Sequence, residues 1–418
     1  MARLLTGSLE HEEILRQVVP HLLERCPHCR ELRGVIERLR RKVGHWSEEV
    51  AVFEGLEAPK LWCRLEDLPY EEQVRKIDAE EDLHTWGFCQ QLLTQSRRAV
   101  FDDPGRAAQL ANLALRVHRR LGDAYHPDWL LDLRARCHAH LGNARRVLGE
   151  LRSADDAFRQ AADCLARGGT GEPRVRAEIV DLEISLRRAQ RRLDEALEKA
   201  DVALALYREA EDAHGGVKVE LKKAKILEEM GELQAAVDLL TQVVGEIDVE
   251  KDARLFAYAR FNLVWALLQV GELAGADLLL TELRPSFREV AKPLDLVRLR
   301  WMEGNIDLGL GRVGPAEAAF REVQREFLDR GMGYDAALVS LDLAILYAQE
   351  GALEALRRLA IEVMPVFAAR DVHREALVAL LLFQRACEED RLTAEMARQI
   401  ALQLRRERGR TGGGDCGG

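Results

Sequence analysis

Four glycines constrain this chain more than any other feature. Gly231, Gly271, Gly311 and Gly351 stand 40 residues apart, in MGELQAAVDLL, VGELAGADLLL, LGRVGPAEAAF and EGALEALRRLA. Each follows one apolar helical stretch and precedes another. Five residues after the glycine comes Ala236, Ala276, Ala316 or Leu356. Nine after comes Leu240, Leu280, Phe320 or Ala360, and twelve after comes Val243, Leu283, Val323 or Val363. Those offsets fall on one helix face. A fixed period of this length is the mark of a stacked array, in which each helical hairpin buries its apolar face only against its neighbours. The expected fold is therefore all-α: a right-handed solenoid of helical hairpins with a concave inner surface.

The pattern extends towards the N-terminus. Arg191 takes the glycine's place before Ala196, Ala200 and Ala203, and Gly149 precedes Ala154, Phe158 and Ala161. Seven residues before the turn position lie Gly142, Ile184, Ala224, Val264, Gly304 and Ala344, mostly small residues where two helices can cross closely. The best unit, HLGNARRVLGELRSADDAFRQAADCL, carries Leu141-Gly142, Gly149, Ala154, Phe158 and Ala161. These positions resemble the tetratricopeptide repeat. The period departs from that family, at 40 residues here against about 34, so longer helices or loops must absorb the difference. The resemblance covers roughly residues 80–408. It starts with a degenerate first unit, EDLHTWGFCQQLLTQSRR followed by DDPGRAAQLANLALRVHRRL, and ends with a closing helical pair. Residues 46–79 read as a helical linker, 1–45 as a separate small helical module, and 409–418, GRTGGGDCGG, as a disordered tail.

Several function classes lose support on the sequence. A formal net charge of −10 argues against a dedicated nucleic-acid binder, because nonspecific affinity comes mainly from phosphate neutralisation by Lys and Arg. The first residues lack a signal-peptide apolar run, and ALVALLLF is too short to span a bilayer, which leads to the expectation of a cytoplasmic protein without a membrane partner. Eight cysteines are scattered in helical contexts apart from the Cys26/Cys29 pair, which suits reduced core thiols. Gly309, Gly311 and Gly314 match a dinucleotide fingerprint, but that fingerprint requires a strand before it, and LRWMEGNIDLGL is helical by phase. No nucleotide cofactor is expected. HEEIL at His11 is not a zinc-protease motif, and no acid, base and nucleophile converge. The chain reads as a non-enzyme.

Binding is the default use of a concave repeat surface. On the phase set by the crossing position, first-helix residues six before, three before, one after and four after it face the groove. That set includes Arg136, Asn143 and Arg146, then Arg188, then Lys218 and Lys225. Tyr258, Phe261 and Trp265 follow with Asn262 at their edge, then Arg298, Trp301 and Asn305. A basic rim leads to an aromatic centre. Peptide-binding tetratricopeptide proteins are similar in using Asn and Lys or Arg on first helices to hold backbone and carboxylate groups. The resemblance therefore implies a protein or peptide partner. The competing reading is that LFAYARFNLVWALLQV, apolar all round, is buried on both sides.

The N-terminal stretch SLEHEEILRQVVPHLLERCPHCREL resembles the zinc-binding domain of bacterial anti-sigma factors. Matched residue by residue, His21, Cys26 and Cys29 are the implied ligands, with four residues between His and the first Cys where that family has three. The resemblance implies one structural zinc and a sigma factor as partner. His11, His28, His45, Cys63 and Cys89 all stay open as fourth ligand, and so does a Cys-Pro-x-Cys helix start without metal. Two functions follow: a protein-binding scaffold with a small zinc module, or a regulator that sequesters a sigma factor through its N-terminus and senses a signal through its repeats.

Overall fold

The computed structural model of the protein describes residues 48–122, 125–368 and 395–401. Every regular element among them is helical. The chain divides into two compact units between Leu182 and Glu183. His21, Cys26 and Cys29, and the 409–418 tail, lie outside the described residues.

Unit 1 contains α1 (Glu48–Cys63), α2 (Tyr70–Ala79), a short 3-10 turn (Glu81–Leu83), α3 (Trp86–Ala99), α4 (Pro104–His118), α5 (Pro127–Val147) and α6 (Leu151–Ala166). Helix α7 (Pro173–Ala189) crosses the division. Local chemistry fixes the starts. Thr85 accepts from the Phe88 N–H and Asp103 from the Arg106 N–H, while Pro104 and Pro127 open α4 and α5, where a missing N–H costs nothing. As expected from its alanines, α4 buries Ala107, Ala111 and Ala114.

Residues 48–79 pack into unit 1. Trp62, Leu65 and Ile77 share one core cluster with Leu83, Phe88, Leu92 and Leu113. Helix α1 packs along α3, and the buried Glu54 carboxylate accepts from the Gly87 N–H at 3.1 Å and the Tyr125 hydroxyl at 2.9 Å. A Cβ on Gly87 would sit 2.4 Å from the Glu54 backbone, so glycine permits this contact. The stretch read as a helical linker is thus helical from Glu48 on and contributes side chains to the core of unit 1.

Unit 2 continues with α8 (Leu193–Glu209), α9 (Ala213–Met230), α10 (Leu233–Glu246), α11 (Ala253–Val270), α12 (Leu273–Val290), α13 (Pro293–Gly309), α14 (Val313–Asp329), α15 (Gly333–Gln349) and α16 (Leu353–Ala368). Each helix packs on the next in the chain, and α9, α11, α13 and α15 also touch one another in order. That is serial hairpin stacking, the solenoid arrangement the period implies. The residues beyond the family's period go into the helices: α11 and α12 have 18 residues each, and α13 and α14 have 17.

The turn positions are left-handed, as the glycines require. Gly149, Gly231, Gly271, Gly311 and Gly351 have φ between 67° and 89°, and Arg191 adopts φ 60° in the same register. At the crossings, a Cβ on Gly142 would come within 2.8 Å of the Phe158 ring and one on Gly304 within 2.8 Å of the Phe320 ring. Gly309, Gly311 and Gly314 sit in a helix–turn–helix passage between α13 and α14, with no strand before them. Helix α15 is buried almost throughout and shares a core with α14, α16 and the helical stretch 395–401, where Ala397 and Ala401 are buried.

Candidate functional site

The residues singled out for the groove all lie on first helices: Arg136, Asn143 and Arg146 on α5, Arg188 on α7, Lys218 and Lys225 on α9, Tyr258, Phe261, Asn262 and Trp265 on α11, and Arg298, Trp301 and Asn305 on α13. At about 100° per residue, offsets of −6, −3, +1 and +4 fall roughly 40–120° round the helix from the crossing residue. That flank looks towards the neighbouring first helix. The geometry explains what the structure does with each side chain.

In unit 1, Arg136 pairs with Glu178 at 3.2 Å, joining α5 to the start of α7. Arg146 is buried and donates through Nε to Asn143 Oδ1 at 3.1 Å. His140 lies between them on the helix, held down to about 3 by burial and by the charges of Arg136 and Arg97.

In unit 2 the same kind of bridge recurs between successive first helices. Arg188 on α7 and Arg191 just beyond it converge on Glu229 of α9, at 3.2 and 3.0 Å. His214 on α9 meets Asp252, the N-cap of α11, at 2.9 Å. Tyr258 on α11 donates its hydroxyl to Asp295 on α13 at 2.5 Å. Burial, with the Asp295 carboxylate, pushes Tyr258 up to about 12, and Arg298 flanks Asp295 at 3.3 Å. Trp301 on α13 donates its indole N–H to Asp342 on α15 at 2.7 Å. Lys225 pairs within its own helix with Glu228, and Asn305 donates to the Trp301 carbonyl.

This arrangement corrects the aromatic centre. Tyr258, Phe261 and Trp301 are buried, at 7%, 5% and 4% exposure, and belong to the core. Phe261 stacks on Phe287 at 4.8 Å, and Trp301 packs edge-on against Phe327 at 5.8 Å. A flank pressed against the next helix has to bury its large apolar side chains. Trp265, 6.3 Å from Trp301, and Asn262 stay half-buried, as do Lys225, Arg188, Arg298 and Asn305, while Lys218 is exposed.

Sequence reasoning missed the acceptors: Glu178, Glu229, Asp252, Asp295 and Asp342. The available signal was acids inside otherwise apolar helices, as in GYDAALVSLDLAILYAQ, which a buried polar partner would require. Among the described residues no group of three or more His, Cys, Asp or Glu side chains could hold a metal, and no helix is long and apolar enough to cross a membrane. Cys89, Cys137 and Cys164 are buried free thiols and Cys63 an exposed one.

No protein-family model and no curated protein matches this chain. Its likeness is to solved folds. A Rap protein complexed with competence and sporulation factor superposes with a TM-score of 0.53 at 13% identity, covering 78% of this chain and 94% of that one. Aspartyl phosphate phosphatase F from Bacillus subtilis superposes at 0.54 with 12% identity, covering 85% and 91%. At such identities the likeness establishes a shared all-α helical-repeat fold.

Proposed function

We propose that this protein is a regulatory scaffold that binds a protein or peptide segment along the first-helix face of its repeats and performs no catalytic step of its own. One observation carries the reading. On α7, α9, α11 and α13 the side chains of Arg188, Lys218, Lys225, Asn262, Trp265, Arg298 and Asn305 keep accessible surface in a row of cations, amides and one indole. Such a row suits an extended chain, since amides hold backbone groups, cations hold carboxylates and an indole supplies an anchor. One of the two similar folds was solved with a bound factor, which supports a binding use of this architecture.

The test is affinity capture from cells of the native host with wild type and with a Lys218→Glu, Lys225→Glu, Asn262→Ala variant. A partner retained by wild type and lost by the variant supports the reading. An identical set of captured proteins, or protein-dependent hydrolysis of an acyl phosphate, overturns it. The regulator alternative rests on the stretch containing His21, Cys26 and Cys29. It calls for one structural zinc, found by elemental analysis in wild type and lost in Cys26→Ser, Cys29→Ser, together with a sigma factor that co-purifies only while the metal is present.

A further inference from the structure

We propose that unit 1 carries an anion site, separate from the first-helix row, formed by His118, Arg119, Arg134, His138 and Arg145, and that it takes a phosphate-type tetrahedral dianion. The geometry begins on α5. Leu130, Arg134, His138 and Arg145 lie at spacings of four, four and seven residues, which places them on one stripe of that helix. His118, at the end of α4, meets the Leu130 carbonyl through Nε2 at 2.8 Å, so its ring rests one turn from Arg134 on the same stripe. Arg119 follows it in the chain. The imidazole of His138 is 7% exposed, and its Nδ1 is buried without a hydrogen-bond partner. Arg119 and Arg134 are exposed, and neither forms an ion pair among the described residues. Arg145 spends one donor on the Ser153 carbonyl at 3.2 Å.

The electrostatics agree with this geometry. Beyond burial, the groups that hold His138 down to about 4 are Arg134, His118, Arg119 and Arg145, all cationic or able to become so. His118 is depressed by burial, which outweighs the opposing hydrogen bond to the Leu130 carbonyl, and further by Arg134 and Arg119. From α6, Cys164 also feels Arg134, with Arg167 and Asp163 beside it. Three guanidiniums near two imidazoles, with no carboxylate paired to them among the described residues, make a self-repelling cluster that an anion would relieve. A single carboxylate supplies one charge. A tetrahedral dianion supplies two, with oxygens enough for fork-shaped pairing to Arg119 and Arg134 at the rim while the buried imidazole gains a proton and donates to it.

Sulfate and inorganic phosphate are the probes, with the full chain, by isothermal titration calorimetry at pH 6 and constant ionic strength set with sodium chloride. Sulfate keeps its charge at this pH, so proton uptake read from two buffers of different ionisation heat reports on the protein alone. Wild type should bind both anions saturably, sulfate with net proton uptake, whereas phosphate, mostly the monoanion at pH 6, gives up its own proton on binding as the dianion and offsets the uptake. Arg119→Ala and Arg134→Ala, at exposed positions that fold without difficulty, should each weaken binding about tenfold or more. His138→Gln should reduce the proton uptake, and Arg159→Ala on α6 should bind like wild type. Absence of saturable binding, equal weakening by Arg159→Ala, wild-type affinity in both other arginine variants, or sulfate binding without proton uptake would each overturn the site.

Discussion

The Trp301 indole nitrogen lies 2.7 Å from the Asp342 carboxylate, which is itself 2% exposed. The pair joins two successive first helices at the position where an exposed aromatic anchor was expected, and it decides the role of this tryptophan. Trp301→Ala should destabilise unit 2 by about 3–5 kcal/mol, the usual cost of emptying a core tryptophan site. Trp301→Phe should cost about 1–3 kcal/mol, because it keeps most of the packing and removes the donor to a buried carboxylate. Urea denaturation followed by circular dichroism separates the two. Unchanged midpoints in both variants would return Trp301 to the binding surface.

Acid should loosen unit 1. His138 titrates near 4 in the folded protein, against an ordinary value of 6.5. The unfolded chain therefore binds more protons than the folded one between those values, and stability rises with pH in that window. The contribution is fully present above pH 6.5, shrinks as pH falls below it and is gone below about 4. It amounts to something on the order of 3 kcal/mol. Thermal melting from pH 8 to pH 5 should show a falling midpoint for wild type and a flatter profile for His138→Gln, while equal slopes would assign the acid sensitivity to other groups.

The array was legible because its determinants are local and repeated. A left-handed turn and a close helix crossing each demand a small residue at a fixed offset, and the substitute Arg191 could be placed by phase alone. Burial of the flank between first helices was not legible in the same way. Tyr258, Phe261 and Trp301 have the spacing of groove residues and also the spacing of inter-helix core, and only their partners distinguish them: acids 37 and 41 residues away for Tyr258 and Trp301, and the Phe287 ring for Phe261. Glu54, Gly87 and Tyr125 illustrate the same limit: the carboxylate binds groups 33 and 71 residues distant, and no periodicity marks such a contact.

Gly304 should not tolerate a methyl group. A Cβ there would meet the Phe320 ring at 2.8 Å and the Ala319 Cβ at 3.1 Å, and both helices are held by their own cores. Gly304→Ala should therefore cost about 1–3 kcal/mol through overpacking. Gly304→Ala with Phe320→Leu should recover part of that loss, because the smaller side chain vacates the contested space. Strictly additive losses in the double-mutant cycle would mean that the crossing adapts in some other way.

Arg191 offers a measurement of backbone strain inside an otherwise glycine-marked register. Its φ of 60° places it where L-residues with a Cβ are disfavoured by about 1–2 kcal/mol, yet its guanidinium pairs with Glu229 at 3.0 Å. Arg191→Ala loses the pair and keeps the strain, so it should be less stable than wild type. Arg191→Gly also loses the pair but relieves the strain. A partly exposed ion pair contributes about 0–1 kcal/mol, so the glycine variant should match or exceed wild type. The decisive quantity is the gap between the two variants in denaturation midpoint, since both lack the ion pair and differ only in the backbone cost. A gap near zero would show that the turn relaxes out of the left-handed region whenever the arginine is removed.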